Sequence, residues 1–291
     1  MKNMRLKNIL VPTDFSPIAR HALSHAEHIA RLTGARITLL HVVEQIGRGF
    51  GTSGMLKYSS ILEKKRCAAG TARLQRLARA MTNRSTLKVN DQVVIGRIAP
   101  TIASIAAKSR CDLIIMGTHG ANGFVEDILG STTYRLASRI RIPLLSVHRA
   151  ISRHGYATII FPVRDERYAA DKLPEALAFA HLFRAHVHIV GHVPPDHPER
   201  ETRMRKACTA IRERFARRGI VARTALAAES FFPDAIIRYA HDLPNALVVI
   251  SQRGDFHLVE VFQGTFTKRI LHKVLSPVLS VPLPQHAGSQ A

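Results

Sequence analysis

The chain is written twice. Asn8-Ile-Leu-Val-Pro12-Thr-Asp14 near the start returns as Thr158-Ile-Ile-Phe-Pro162-Val-Arg164, 150 residues on. Gly120, Gly130-Ser131 and Pro143-Leu-Leu-Ser-Val147 return as Gly254, Gly264-Thr265 and Pro277-Val-Leu-Ser-Val281, 134 residues on. The features come in the same order in both halves, so each half is expected to be one structural unit. The 16-residue difference between the two offsets falls inside the unit and is assigned to 47–60, a stretch with Gly and Ser that the second half lacks. The expected organisation is a domain over 1–149, a linker over 150–155, a second domain over 156–284 and a tail over 285–291, a division that suits a chain of 291 residues.

Each half alternates strand-like and helix-like segments. In the first, strands are predicted at 6–12, 36–43, 86–94, 112–117 and 143–148, and helices at 16–33, 58–82, 98–109 and 130–141. In the second, strands are predicted at 157–162, 186–193, 220–227, 246–251 and 278–281, and helices at 170–184, 198–218, 232–242 and 264–274. Runs such as Ile9-Leu10-Val11 and Leu113-Ile-Ile-Met116 are short, apolar and β-branched, as strands covered on both faces are. Ser16-Pro17 supplies an N-cap and a first-turn proline, and Gly34 a left-handed stop, for the first helix. Strand–helix alternation of this kind implies an α/β fold with a parallel sheet and helices on both faces.

Composition narrows the function classes. Hydrophobic residues are 46% and charged residues 22%, a globular balance. Trp is absent, which excludes a stacking surface built on tryptophan. Three cysteines without C-x-x-C spacing exclude a disulfide framework. No apolar run approaches the roughly 18 residues of a membrane span, and the N-terminal segment lacks a signal-peptide pattern, so the expected location is cytoplasmic. Bases outnumber acids 42 to 21, and the excess is concentrated in residues 1–150, with 23 against 8. Such an excess favours phosphorylated ligands, nucleic acid or anionic lipid as partners. Lys64, Lys65, Arg66, Arg73, Arg76 and Arg79 fall on one predicted helix. They read either as a solvated face, the plainer reading, or as a patch for RNA or lipid phosphate. No aromatic interleaving supports base stacking there.

In open α/β sheets a ligand sits at the carboxyl ends of the strands, where the strand order reverses. Pro12-Thr13-Asp14 closes the first predicted strand, His41-Val42 the second, and Met116-Gly117-Thr118-His119-Gly120 the fourth. Nine residues later Gly130-Ser131-Thr132 opens a helix. Glycines admit close backbone approach. A helix start offers unpaired N–H groups to an anion, with the Ser131 and Thr132 hydroxyls as further donors. Asp14 can accept from a ribose or a base, and His119 is a neighbour of the same ligand.

The spacing G-x2-G-x9-G-[ST] resembles the ATP-binding signature of the universal stress protein family. The opening ILVPTDFS and the closing Pro143-Leu-Leu-Ser-Val147 resemble that family too, and two tandem copies span nearly the whole chain. The resemblance implies two five-stranded parallel sheets of strand order 3-2-1-4-5, Rossmann-like and of the adenine nucleotide alpha hydrolase type. It implies ATP, with or without Mg²⁺, as the ligand in a family of which some members bind ATP and some do not. By position, Asp14 and the Val42 backbone would contact the adenosine, Gly117 would lie beside the ribose, and Gly120, Gly130, Ser131 and Thr132 would hold the phosphates. Pro12, Thr13, Met116 and His119 complete the candidate set. It further implies pairing through the last strand: Leu144–Val147 against 278–281 within one chain as an internal pseudo-dimer, or a homodimer. The implied role is a stress-response sensor or regulator with at most slow ATP hydrolysis.

The first half departs from the family in its glycine loop, which carries Glu126 and Asp127 and no base. Those carboxylates would repel a triphosphate or need Mg²⁺ between. The second half departs further: Arg164 replaces Asp14 and Ser251 replaces Gly117, so weak or absent nucleotide binding is expected there. Two other function classes are weighed. A stress scaffold without ATP would use its basic surface for nucleic acid or lipid. An adenylyl-transfer enzyme would need a HIGH-like or SGGxDS-like motif, and neither is present, nor is a G-x4-G-K-[ST] loop. His21, His25 and His28 share a helix face but read as a solvated stripe rather than a metal site, and His186-x-His188 reads as structural.

Overall fold

The computed structural model describes residues 6–45, 53–118, 131–137, 139–164, 169–252 and 266–282. The first repeat contributes β1 (Asn8–Pro12), α1 (Pro17–Thr33), β2 (Arg36–Glu44), α2 (Ser53–Arg84), β3 (Val89–Gly96), α3 (Ile98–Lys108), β4 (Leu113–Gly117), α4 (Ser131–Ala137) and β5 (Leu144–Val147). The second contributes β6 (Thr158–Val163), α5 (Leu173–Phe183), β7 (His186–His192), a 3₁₀ turn (Pro198–Arg200), α6 (Glu201–Ala216), β8 (Ala222–Ala227), α7 (Phe232–His241), β9 (Ala246–Gln252), α8 (Phe266–Lys273) and β10 (Val278–Pro282). Every strand and helix expected from the sequence is present within a few residues of its expected bounds.

Both repeats have the strand order 3-2-1-4-5, which in the second reads β8-β7-β6-β9-β10. Within each repeat the paired strands run parallel, as in β1 beside β2 and β4, and β6 beside β7 and β9. Crossovers leading in opposite directions along the sheet, each right-handed, put α1 and α2 on one face and α3 on the other. That double cover explains why β4 is buried from Leu113 to Met116 and β9 from Ala246 to Ile250.

The local signals behave as their chemistry requires. Ser16 caps α1 by accepting from the Ala19 N–H at 3.1 Å, and Gly34 ends it at φ 72° with its N–H on the Ala30 carbonyl. In the second repeat Arg184 stands in Gly34's place and adopts φ 52°, the same left-handed stop without glycine's freedom. The difference between the two offsets is helical rather than a loop: α2 has 32 residues against 16 in α6, and starts at Ser53 instead of near 58.

By contacts the described residues divide into one unit from Leu6 to Ile142 and a second that begins at Pro143. β5 therefore groups with the second unit, where it lies antiparallel to β10. Leu145 stands opposite Leu279, Ser146 opposite Val278 and Leu144 opposite Ser280. Ser146 Oγ donates to the Val278 carbonyl at 3.2 Å, and all four β5 side chains are buried. No described helix is long and apolar enough to cross a membrane.

Candidate functional site

Where β1 stops, β2 continues. The β1–β2 ladder ends at Pro12 opposite Leu40, whereas the β2–β3 ladder runs on to Glu44 opposite Gly96. The Thr13 N–H donates to the Leu40 carbonyl at 2.8 Å, so Leu40 turns its backbone groups toward β1. Alternate residues of a strand face the same neighbour. Val42 therefore directs its N–H and C=O into the space beyond the end of β1. On the other side β4 pairs with β1 through Leu113 and Ile114 and ends at Gly117. The chain leaves β1 for α1 on one face, and the β4 end leads on to α4. The result is an open crevice at the point where the strand order reverses.

The turn after β1 is held by its own side chains. Asp14 Oδ1 accepts from the Ser16 N–H at 2.9 Å, and Thr13 Oγ1 from the Phe15 N–H at 3.0 Å. Asp14 is exposed at the mouth of the crevice, while Pro12, Thr13 and Met116 are buried. Phe15 sits at φ 65°, a backbone conformation unfavourable for an aromatic residue by about 1 kcal/mol. Its ring centroid lies 4.6 Å from that of His41, and the Arg73 guanidinium carbon lies 4.2 Å above it. The His41 Nδ1 lies 2.8 Å from the Thr13 carbonyl, and its ring fills the space beside Gly70 of α2. Phe15 was not among the sequence candidates, and Arg73 was read only as part of the basic helix. The one linear hint is an aromatic residue directly after Asp14.

Gly117 has a packing reason of its own. A Cβ there would stand 2.6 Å from Ile18 Cγ2 and 3.2 Å from the Ile18 carbonyl carbon and oxygen, so glycine lets the end of β4 lie against the first turn of α1. Thr133 ties α4 back to that strand end, its Oγ1 donating to the Gly117 carbonyl at 3.4 Å. Thr132 is half-buried beside it, and Ser131 is the first residue of α4. His119, Gly120 and Gly130, with Glu126 and Asp127, lie outside the described residues.

The second repeat keeps the frame and changes the contents. Thr267 Oγ1 donates to the Ser251 carbonyl at 3.4 Å, the counterpart of the Thr133 bond. The position of Val42 is taken by His192 and that of Thr132 by Phe266. His192 stacks on Phe232 at 4.5 Å, and Phe232 on Phe266 at 5.5 Å. The His192 Nε2 lies 2.8 Å from the Glu229 carbonyl. Burial lowers the His192 pKa, and the nearby Arg164 and Arg200 charges add to the effect. Lys172 replaces Ala22, is buried, and donates from Nζ to the Pro162 carbonyl at 2.5 Å with the Phe161 ring 4.6 Å away. Burial drops its pKa to about 7. Gly254, Gly264 and Thr265 lie outside the described residues.

The histidine stripe of α1 departs from expectation: His25 is fully buried, and His21 and His28 are half-buried, so this is not a solvated face. Among the described residues no group of His, Cys, Asp and Glu is placed to hold a metal ion. His188 is buried, with its Nδ1 3.3 Å from both Arg223 Nη2 and Tyr239 Oη, while His186 is exposed.

This is the crevice of a doubly wound α/β protein, present twice in one chain. The Universal stress protein family model matches residues 5–148. Universal stress protein MJ0577 of Methanocaldococcus jannaschii is 30% identical over 155 residues, covering 49% of this chain and 95% of that one. Universal stress protein A homolog 1 of Coxiella burnetii is 27% identical over 131 residues, covering 44% of this chain and 86% of its own. Among solved structures, a universal stress protein from Archaeoglobus fulgidus superposes with a TM-score of 0.74 at 15% identity, covering 96% of this chain and 97% of that one. A putative universal stress protein from Pseudomonas aeruginosa gives 0.68 at 20% identity, covering 96% and 94%. These two share the fold over nearly their whole length. The chain belongs to the Universal stress protein family.

Proposed function

We propose that the crevice of the first repeat binds one adenine nucleotide, ATP with or without Mg²⁺, and that the chain is a cytoplasmic stress-response sensor or regulator rather than a fast enzyme. The observation that carries this reading is the backbone of Val42, whose N–H and C=O point past the end of β1 beside the exposed Asp14. A donor and an acceptor side by side suit the edge of a base, and a carboxylate suits a ribose hydroxyl. Ser131 and Thr132 at the start of α4 are the proposed phosphate donors, with Gly120, Gly130 and His119 of the preceding loop. When bound, Mg²⁺ would offset the charges that Glu126 and Asp127 bring to the segment between the glycines. Hydrolysis in this reading is slow, because the motif supplies phosphate binding without an evident base or a paired catalytic carboxylate.

The second repeat is proposed to bind nucleotide weakly or not at all, because the His192–Phe232–Phe266 stack involves the two positions matching Val42 and Thr132. The domains are proposed as 1–149 and 156–284, paired through β5 and β10 as an internal pseudo-dimer. The test is nucleotide analysis of the purified protein, followed by calorimetric titration with ATP and Mg²⁺. One ATP per chain is expected. Asp14→Asn keeps the Oδ1 acceptor of the turn but not the charge, and is expected to weaken binding about tenfold, as for loss of a charged hydrogen bond. Gly130→Ala/Ser131→Ala is expected to weaken it at least as much. An empty protein that takes up no ATP would sink the reading, and two sites per chain would sink the second-repeat part.

A further inference from the structure

The part of α2 with no counterpart in the second repeat overhangs the ligand side of the sheet. α2 links two parallel strands, so it runs against them. Gly70 lies beside His41, three residues short of the end of β2. The preceding residues therefore rise past the carboxyl edge, and 53–66 alone span roughly 20 Å. α6 begins at Glu201, which corresponds to Cys67, and has no such extension.

The described side chains of α2 sort into two faces. Gly70, Leu74, Ala78 and Met81 are buried against the sheet side. At 100° per residue, Ile61, Leu62, Lys65, Arg76 and Arg79 fall on the opposite arc, and all are exposed, while Arg66, Arg73 and Arg84 flank it nearer the buried side. From Lys65 to Arg79 the cations of this arc cover about 21 Å of helix. The whole of α2 holds eight Lys or Arg and a single acid, Glu63. At the overhanging end the row meets two exposed apolar side chains, Ile61 at 53% and Leu62 at 36%.

We propose that this face of α2 docks on an anionic lipid surface, with the cations against lipid phosphates and Ile61 and Leu62 in the interfacial layer. The two apolar side chains decide between polyanions. A nucleic-acid backbone would use the cations and gain nothing from Ile61 and Leu62, whereas an anionic bilayer uses both on one face. The inference does not depend on nucleotide binding in the crevice.

The test uses the full chain without nucleotide in vesicle flotation at 0.1 M salt. The vesicles are pure phosphatidylcholine, or phosphatidylcholine with about one-third phosphatidylglycerol. Binding to the anionic vesicles alone is expected. Lys65→Gln/Arg76→Gln/Arg79→Gln should reduce it more than tenfold, since each cation near a charged surface contributes about a factor of five. Lys206→Gln/Arg212→Gln/Arg214→Gln removes equal charge from α6 and should have little effect. Ile61→Ser/Leu62→Ser should reduce vesicle binding several-fold while leaving any binding to a 20-base-pair duplex unchanged. Circular dichroism and melting establish that each variant is folded. Absence of binding to the anionic vesicles overturns the proposal. Equal loss in the α2 and α6 variants overturns it too, as does a serine variant that binds vesicles like the parent protein.

Discussion

At the residue scale, neighbours decide what each candidate does. Gly117 lies in the glycine pattern, yet its nearest constraint is Ile18. Gly117→Ala is expected to destabilise the protein by about 1–3 kcal/mol through overpacking, with no ligand present, as read by denaturant unfolding. Loss of nucleotide binding in that variant would therefore say little about the ribose. Lys172 gives a pH prediction. Its amine titrates near 7 in the fold and near 10.5 in the unfolded chain, so the unfolded state holds the extra proton between those values. Stability contributed through this residue is lowest below pH 7 and rises by up to about 1.4 kcal/mol per pH unit from there toward pH 10. Lys172→Met should therefore raise the melting temperature at pH 6 and raise it less, or lower it, at pH 10. A gain independent of pH would show that the buried charge is not the cause. No sequence pattern marked Lys172, because its burial is set by the Phe161 and Pro162 end of β6 and not by its own neighbours in the chain.

At the element scale, the two repeats solve one packing problem with the sizes exchanged. In the first, the large His41 of β2 faces the small Gly70 of α2. In the second, the small Gly191 of β7 faces Met204 of α6, whose Cγ lies 2.7 Å from where a Gly191 Cβ would stand. The positions correspond at the two repeat offsets. Gly70→Met should cost about 1–3 kcal/mol or more, and adding His41→Gly should recover part of that loss. Additive losses in that cycle would mean that the two positions do not share one space. The helix stops differ in the same way. Arg184→Gly is expected to stabilise the protein by about 0.5–1 kcal/mol, because glycine enters the left-handed region without the Cβ penalty. A lower denaturation midpoint would contradict this and point to a role for the arginine side chain.

At the scale of the whole molecule, the repeat in the sequence and the units of the structure do not share a boundary. β5 belongs to the first repeat by sequence and to the unit that begins at Pro143 by contacts. Leu145 stands opposite Leu279, and both are fully buried. Leu145→Ala should cost about 2–5 kcal/mol, and hydrogen exchange should show faster opening of the 278–282 amides. Unchanged protection of β10 would mean that β5 adds nothing to that unit. The fold was legible because its determinants are local or periodic. Apolar runs set the strands, Ser16 and Gly34 the ends of α1, and the doubled order of motifs announced two repeats of one strand order. That the ends of β1, β2 and β4 lie together was legible, since parallel strands bring their carboxyl ends to one edge. Whatever depends on residues far apart in the chain was not legible. The Phe15 clamp needs His41 and Arg73, the burial of His25 needs the elements covering α1, and the aromatic stack needs His192 to meet Phe232 and Phe266. The sequence by itself determined the family, the strand and helix order and the edge of the sheet at which the ends of β1, β2 and β4 meet. Only the tertiary structure decided which side chains occupy that edge, because their meeting depends on the packing of separate elements and leaves no periodic trace along the chain.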